Sequence, residues 1–327
     1  MPLELDNATL IAGLLILGIF ICGTFLWISH LNEGKQHSNP QASAPTWSIG
    51  WVNFGLFLCT LIISTSFTQA LAAKLIHTLA QPTGDEQIIR EIGISDEVIE
   101  ATDPNRSEST EETEPPSPWS AVLLILSMQI PMIATFYGLR TFYPQSFGGS
   151  LNRKTISVQK AISGTIPYFI RCFPVIWLTG LLWFGLLTGL QKLGIVDQLP
   201  PQQLVTIVRN NEAPFAVAII TLCAVVSAPL IEEIIFRGAD TTAQRVIIAT
   251  GHTPLLAAQI LSGALFAIMH ANLMSFLPLL VIGVFLARIY EKEGNILLPI
   301  LFHICWNGFT LLMVFMTSPS EVSLGSN

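Results

Sequence analysis

The sequence predicts an all-α fold, a polytopic transmembrane helix bundle of about eight spans, and two observations predict it. Of the 327 residues 51% are hydrophobic and only 11% charged, with a mean hydropathy of +0.60; soluble domains carry roughly a quarter charged residues. Apolar runs also recur at residues 9–27, 51–76, 119–139, 166–190, 213–236, 255–273, 275–290 and 296–316. Most approach the ~20 residues that a helix needs to cross the hydrocarbon core. In lipid the backbone must satisfy its own polar groups, which helices do within one segment.

The first run is preceded by Glu4 and Asp6, whereas a signal peptide opens with positive charge, so this run is expected to be a retained anchor. Ala42, Ser43 and Ala44 resemble a cleavage site but lie well past the run. Trp51 and Trp119 open the second and third runs, where the aromatic belt of the interface would anchor them. Together the first two helices are expected to make a unit over 1–76.

Residues 77–118 form an acidic connection. Its stretch from 81 to 118 holds eleven acidic side chains against Arg90 and Arg106. This charge, with its Ser, Thr, Pro and Glu content, describes a solvated linker that repels nucleic acid, so no nucleic-acid partner is expected. Ile88, Ile89, Ile92, Val98 and Ile99 are spaced for a short amphipathic helix within it.

Two further spans and their loops occupy 119–212. Arg140, Arg153, Lys154 and Lys160 cluster between them, as in cytoplasmic loops, which places both termini and the acidic loop outside; Lys192 and Arg209 oppose this orientation. Arg171, near the start of the fourth run, either snorkels to the interface or contacts a substrate carboxylate. The seventh run, 275–290, is short enough to be tilted or sheltered. A tail follows at 317–327.

Cys22, Cys59, Cys172, Cys223 and Cys305 all lie in apolar stretches without CxxC spacing and are read as small buried hydrophobes. His30, His37, His77 and His252 fall at span edges or in loops and receive no role.

The chemistry concentrates in residues 213–316, because ionisable groups inside lipid cost roughly 2.5–3.5 kcal/mol each and need a reason. Glu232, Glu233 and Arg237 close the fifth run. On a helix Glu233 and Arg237, four apart, can pair, while Glu232 points about 100° away and keeps its carboxylate free to act as a general base. Alternatively, both glutamates only cap a helix end beside Arg237. Phe266 and His270 follow on the next run and His303 and Asn307 on the last, each pair four residues apart on one helical face. A base, two proton carriers and amide donors then sit on separate spans, a set fit for hydrolysis.

The ordered pattern EExxxR, FxxxH and HxxxN resembles the CAAX-protease and bacteriocin-processing family of intramembrane endopeptidases, which includes type II CAAX prenyl endopeptidases. The resemblance covers residues 213–316. Gly283 and Ala287 before Arg288 and Tyr290 also resemble that family's next-to-last helix. It implies endoproteolysis in which Glu232 activates water, His270 assists, and His303 and Asn307 stabilise the oxyanion. Glu233, Arg237 and Phe266 support that set. No cofactor is expected; the alternative is Zn²⁺ at Glu232, His270 and His303, although HExxH is absent. The implied partners are membrane lipid and a peptide or protein substrate, prenylated or otherwise membrane-anchored. The rival readings are a transporter or proton relay using the same Glu and His residues, and a non-catalytic membrane immunity or scaffold protein.

Simple antiparallel spans would leave Glu232 and His270 on opposite sides of the bilayer. The fifth helix is therefore expected to run past Arg237, through Arg245, to a break at Gly251, His252, Thr253 and Pro254. Both residues would then lie ~28 Å from the turn at about 1.5 Å per residue.

Overall fold

A computed structural model describes residues 7–33, 49–80, 117–196, 207, 213–240 and 255–317. Among these the chain is helical, with a lone bridge between Asn152 and Asn295 as its extended pairing. Residues 81–116 of the acidic loop, with the amphipathic pattern at 88–99, and the break at 251–254 lie outside the described residues.

Each of the eight apolar runs is a helix. In chain order they are α1 (Asn7–Glu33), α2 (Trp51–Ala80), α3 (Pro118–Phe142), the one-turn α4 (Pro144–Phe147), and α5 (Val158–Lys192). The composite α6 follows over 214–240, then α7 (Leu255–Met269), α8 (Phe276–Glu293) and α9 (Leu297–Thr317). Six are long and apolar enough to cross a membrane: α1, α2, α3, α5, α6 and α9. The chain is an integral membrane protein. Helix α7 has 15 described residues, and α8 ends on Arg288, Glu291, Lys292 and Glu293, charges that keep it from being a plain lipid-facing span.

Helix starts follow ordinary capping chemistry. The hydroxyls of Ser117 and Ser157 accept from the backbone N–H of Ser120 and Lys160, and Pro118 occupies the first turn of α3, where no N–H is needed. Helix α8 closes on Gly294, whose φ of 65° is left-handed and whose N–H returns to the Tyr290 carbonyl. Beyond it Asn152 and Asn295 lace the α4–α5 loop to the α8–α9 turn: Asn152 Oδ1 accepts from Ile296 N at 2.8 Å, and Asn295 Nδ2 donates to Lys154 O at 2.6 Å.

Aromatic rings bind α5 to α9. Phe169 contacts Phe302, Trp306 and Phe309, and Phe173 contacts Trp306 and Phe309 with centroids 5.3–6.2 Å apart. Helices α7 and α8 cross at glycines. A Cβ on Gly263 would meet Leu280 O at 2.6 Å, and one on Gly283 would meet Gly263 Cα at 2.7 Å, the close approach that small residues permit in membrane bundles.

Helix α6 is built in four pieces. Pro214–Leu222 is α-helical, Cys223–Ser227 π-helical, Ala228–Glu233 α-helical and Ile234–Asp240 π-helical. Pro229 has no N–H and crowds the preceding turn, and the π turn directly before it relieves that crowding by widening the helix. The helix passes Arg237 and is described to Asp240, as the depth argument requires; its expected course through Arg245 lies outside the described residues.

Candidate active site

The three motifs converge on one buried cluster. Glu233 and Arg237 are fully buried, and Arg237 Nε lies 3.0 Å from Glu233 Oε2, an ion pair by distance without an aligned hydrogen bond. The pairing expected from their four-residue spacing is present. Arg237 Nη1 donates to Ser262 Oγ at 2.9 Å, and its guanidinium lies 6.0 and 5.8 Å from the centres of the Phe236 and Phe266 rings. Removing one partner of such a buried pair leaves an uncompensated charge, whereas the intact pair fixes the helix face.

Glu233 has a second partner. Its Oε1 accepts from His303 Nδ1 at 3.2 Å, which turns His303 Nε2 toward Glu232. His270 is oriented in the same manner: its Nδ1 is 2.7 Å from the Phe266 carbonyl. A carbonyl only accepts, so Nδ1 carries the proton and the neutral ring presents the Nε2 lone pair.

Glu232 stands between the two imidazoles. Its Oε2 is 3.8 Å from His303 Nε2 and 4.0 Å from His270 Nε2, is buried, and has no hydrogen-bond partner among the described residues. The three polar atoms thus face one another across gaps too wide for direct hydrogen bonds. Phe266 holds the arrangement from behind. Its ring centroid is 4.6 Å from that of His270 and 5.6 Å from that of His303, and Phe236 packs edge-on against it at 5.4 Å.

Asn307 lies one turn beyond His303, where its Nδ2 donates to the Ala224 carbonyl at 2.9 Å, inside the first π turn of α6. An amide nitrogen has two hydrogens, so this bond fixes the group and leaves one donor. Ser227, in the same turn, donates to Gln129 Oε1 of α3 at 2.6 Å. The π turn ahead of Glu232 is therefore held from two sides.

A cavity of about 560 Å³ opens beside the cluster, with His270, His303 and Asn307 in its wall. Trp177, Leu181, Leu311 and Val314 make much of the rest apolar, and Asn272, Ser275 and Thr310 add polar groups. Helix α7 stops at the site: Ala271, at φ 47°, is a left-handed residue without being glycine, the kind of strained backbone found at functional sites. Trp183 Nε1 donates to Leu273 O at 2.8 Å and ties this turn to α5.

The zinc alternative fits these positions poorly. Neighbouring ligands of a tetrahedral ion with ~2.0 Å bonds stand about 3.3 Å apart, against 3.8 and 4.0 Å here. Among the described residues no three His, Cys, Asp or Glu side chains are grouped to hold a metal ion.

Residues 214–309 match the family model of the Rce1-like type II CAAX prenyl endopeptidases. This stretch is similar to that family. The match begins with α6 and takes in Glu232, Glu233, Arg237, Phe266, His270, His303 and Asn307, so the resemblance carried by the three motifs extends to the whole stretch, which is similar to a protease-type enzyme family. No curated protein and no solved structure matches the chain. Outside the matched stretch, α3 supplies Gln129 and α5 supplies Trp177 and Trp183. Sequence reasoning missed these, and it missed Ser262, which lies four residues before Phe266 and eight before His270 on the same face of α7.

Proposed function

We propose that the chain is an intramembrane endopeptidase that hydrolyses a peptide bond in its cavity with a water activated by Glu232. One observation carries this reading: Glu232 Oε2 faces His303 Nε2 and His270 Nε2 at 3.8 and 4.0 Å, next to a cavity large enough for an extended peptide segment. Gaps of this size suit a water bridging polar groups.

In the proposed reaction Glu232 takes a proton from the water, and the oxygen attacks the carbonyl carbon of the scissile bond. His270 assists by accepting at Nε2 a hydrogen bond from the hydrogen that stays on the attacking oxygen. The negative charge that develops on the carbonyl oxygen is met by the free N–H of Asn307 and by His303 Nε2. As a donor His303 carries protons on both ring nitrogens, and that charge offsets a set holding two carboxylates against one guanidinium. Collapse of the intermediate breaks the C–N bond, and the proton held by Glu232 passes to the leaving amine. Glu233, Arg237 and Phe266 keep both imidazoles aimed. No metal takes part in this scheme.

The apolar wall formed by Trp177, Leu181, Leu311 and Val314 supports a substrate with a lipid-like portion beside the scissile bond, in keeping with the prenyl endopeptidase description of the matched family. The test is cleavage of a prenylated peptide and its unprenylated counterpart by the purified chain in lipid, with products identified by mass spectrometry. Glu232→Gln should abolish product, a loss of about 10²–10⁴-fold or more for a general base. Wild-type rates in that variant would overturn the assignment.

A further inference from the structure

We propose that the outer groove between α5 and α8 holds the phosphate of an anionic phospholipid headgroup, gripped by Arg171 and Arg288 with Lys292 beside them. The two helices run antiparallel, and their register is fixed at two heights. A Cβ on Gly180 would stand 3.7 Å from Pro278, and further along Tyr168 donates a short hydrogen bond to Glu293 while Lys292 lies 5.4 Å from the centre of the Tyr168 ring. Arg171 follows Tyr168 by three residues on one face of α5, and Arg288 precedes Lys292 by four on one face of α8. The register therefore sets Arg171 and Arg288 opposite each other.

Two facing cations repel unless an anion joins them, and among the described residues no ion pair joins either arginine to Glu291 or Glu293. Glu293 is engaged by Tyr168, and Glu291 is buried with a partner of its own. Arg171 is half-buried, and its Nε is buried with no hydrogen-bond acceptor among the described residues.

The setting selects the ligand. Arg288 is exposed on the outer face of the bundle, and neither arginine lines the cavity, so a peptide end at the reacting centre is not the favoured occupant. Trp27 of α1, an interface-type residue, donates from Nε1 to the Arg171 carbonyl at 2.7 Å. Arg153 and Lys154 lie at the same end, through Asn295 and Gly294, which makes this the basic end of the molecule. Basic pockets between spans at that level recognise anionic headgroups.

The experiment is native mass spectrometry of the purified full chain titrated with phosphatidylglycerol or with phosphatidylcholine. One phosphatidylglycerol should be retained preferentially. Retention should fall about tenfold or more in R171Q/R288Q and in R288E, and survive in R171K/R288K. R288E alters an exposed side chain, so its result does not depend on rebuilding a buried site. Equal retention by R288E and wild type overturns the proposal. So does displacement of the lipid by millimolar inorganic phosphate, which would make the ligand a soluble anion. A KM rise in R288E for a free-carboxylate peptide but not for its amidated form also overturns it, because the groove would then belong to the substrate.

Discussion

Glu232 and Glu233 are neighbours in sequence with different duties, and the helix separates them. Glu233 is closed in by Arg237 and His303 Nδ1, whereas Glu232 turns an unbonded oxygen toward two imidazole nitrogens. The two sites should therefore respond differently to substitution. Glu233→Gln or Arg237→Met alone should destabilise the fold by about 3–5 kcal/mol, because each leaves a buried charge without its partner. The double variant should recover part of that loss, as thermal melting in detergent can measure. Glu232→Gln should melt near the wild type and lose its chemistry. His303→Phe should lower both activity and stability, since it removes a contact to each glutamate. The motif spacing made Glu232, His270, His303 and Asn307 legible in the sequence; the Ser262 hydroxyl was not, because a serine in an apolar run carries no signal until a charge is found beside it.

At the level of elements, the placement of His270 depends on how closely α7 approaches α8. Gly263→Val should push a side chain into the Leu280 carbonyl, cost about 1–3 kcal/mol as overpacking does, and reduce turnover by shifting the end of α7. Gly185, on α5, has open space where a Cβ would be; Gly185→Ala should be neutral or stabilising by up to about 1 kcal/mol, leaving turnover unchanged. The existence of the eight helices was readable from apolar run length, which depends only on the bilayer. Their irregularities were not. The first π turn of α6 precedes Pro229 and is held by Gln129 and Asn307, tertiary partners that periodicity within one segment does not register. The Asn152–Asn295 lacing likewise depends on residues more than a hundred positions apart, and the α4 turn is held by Asn53, 93 positions before Ser146.

For the molecule as a whole, the motifs sit in the C-terminal half, while α5 lines the cavity and α3 braces α6 through Gln129. Polar residues such as Gln129 within an apolar run are the signal that could have shown the N-terminal half to be part of the site. Two measurements follow at this scale. Activity of the purified chain should persist in EDTA or 1,10-phenanthroline, and loss restored by zinc would return Glu232, His270 and His303 to a ligand set. The cluster of positive charge around Arg140, Arg153 and Lys154 predicts that this end faces the cytoplasm. Single cysteines at Ser150 and Ser320, in a chain with its five native cysteines replaced, should react with an impermeant maleimide from opposite sides of a sealed membrane.

A π turn is in effect an α-helix into which one residue has been spliced, and α6 carries such a turn directly upstream of Glu232. Excising Ala224 would return that stretch to an uninterrupted coil yet leave Glu232 close to its present heading, because the wide turn already absorbs the extra residue. Adding an alanine after Leu230 would instead swing everything downstream by about 100°. The lengthened span would still be greasy enough to insert, yet its carboxylate would point away from both rings. A single-codon insertion there should thus yield a membrane protein that assembles without activity, while the Ala224 deletion keeps it.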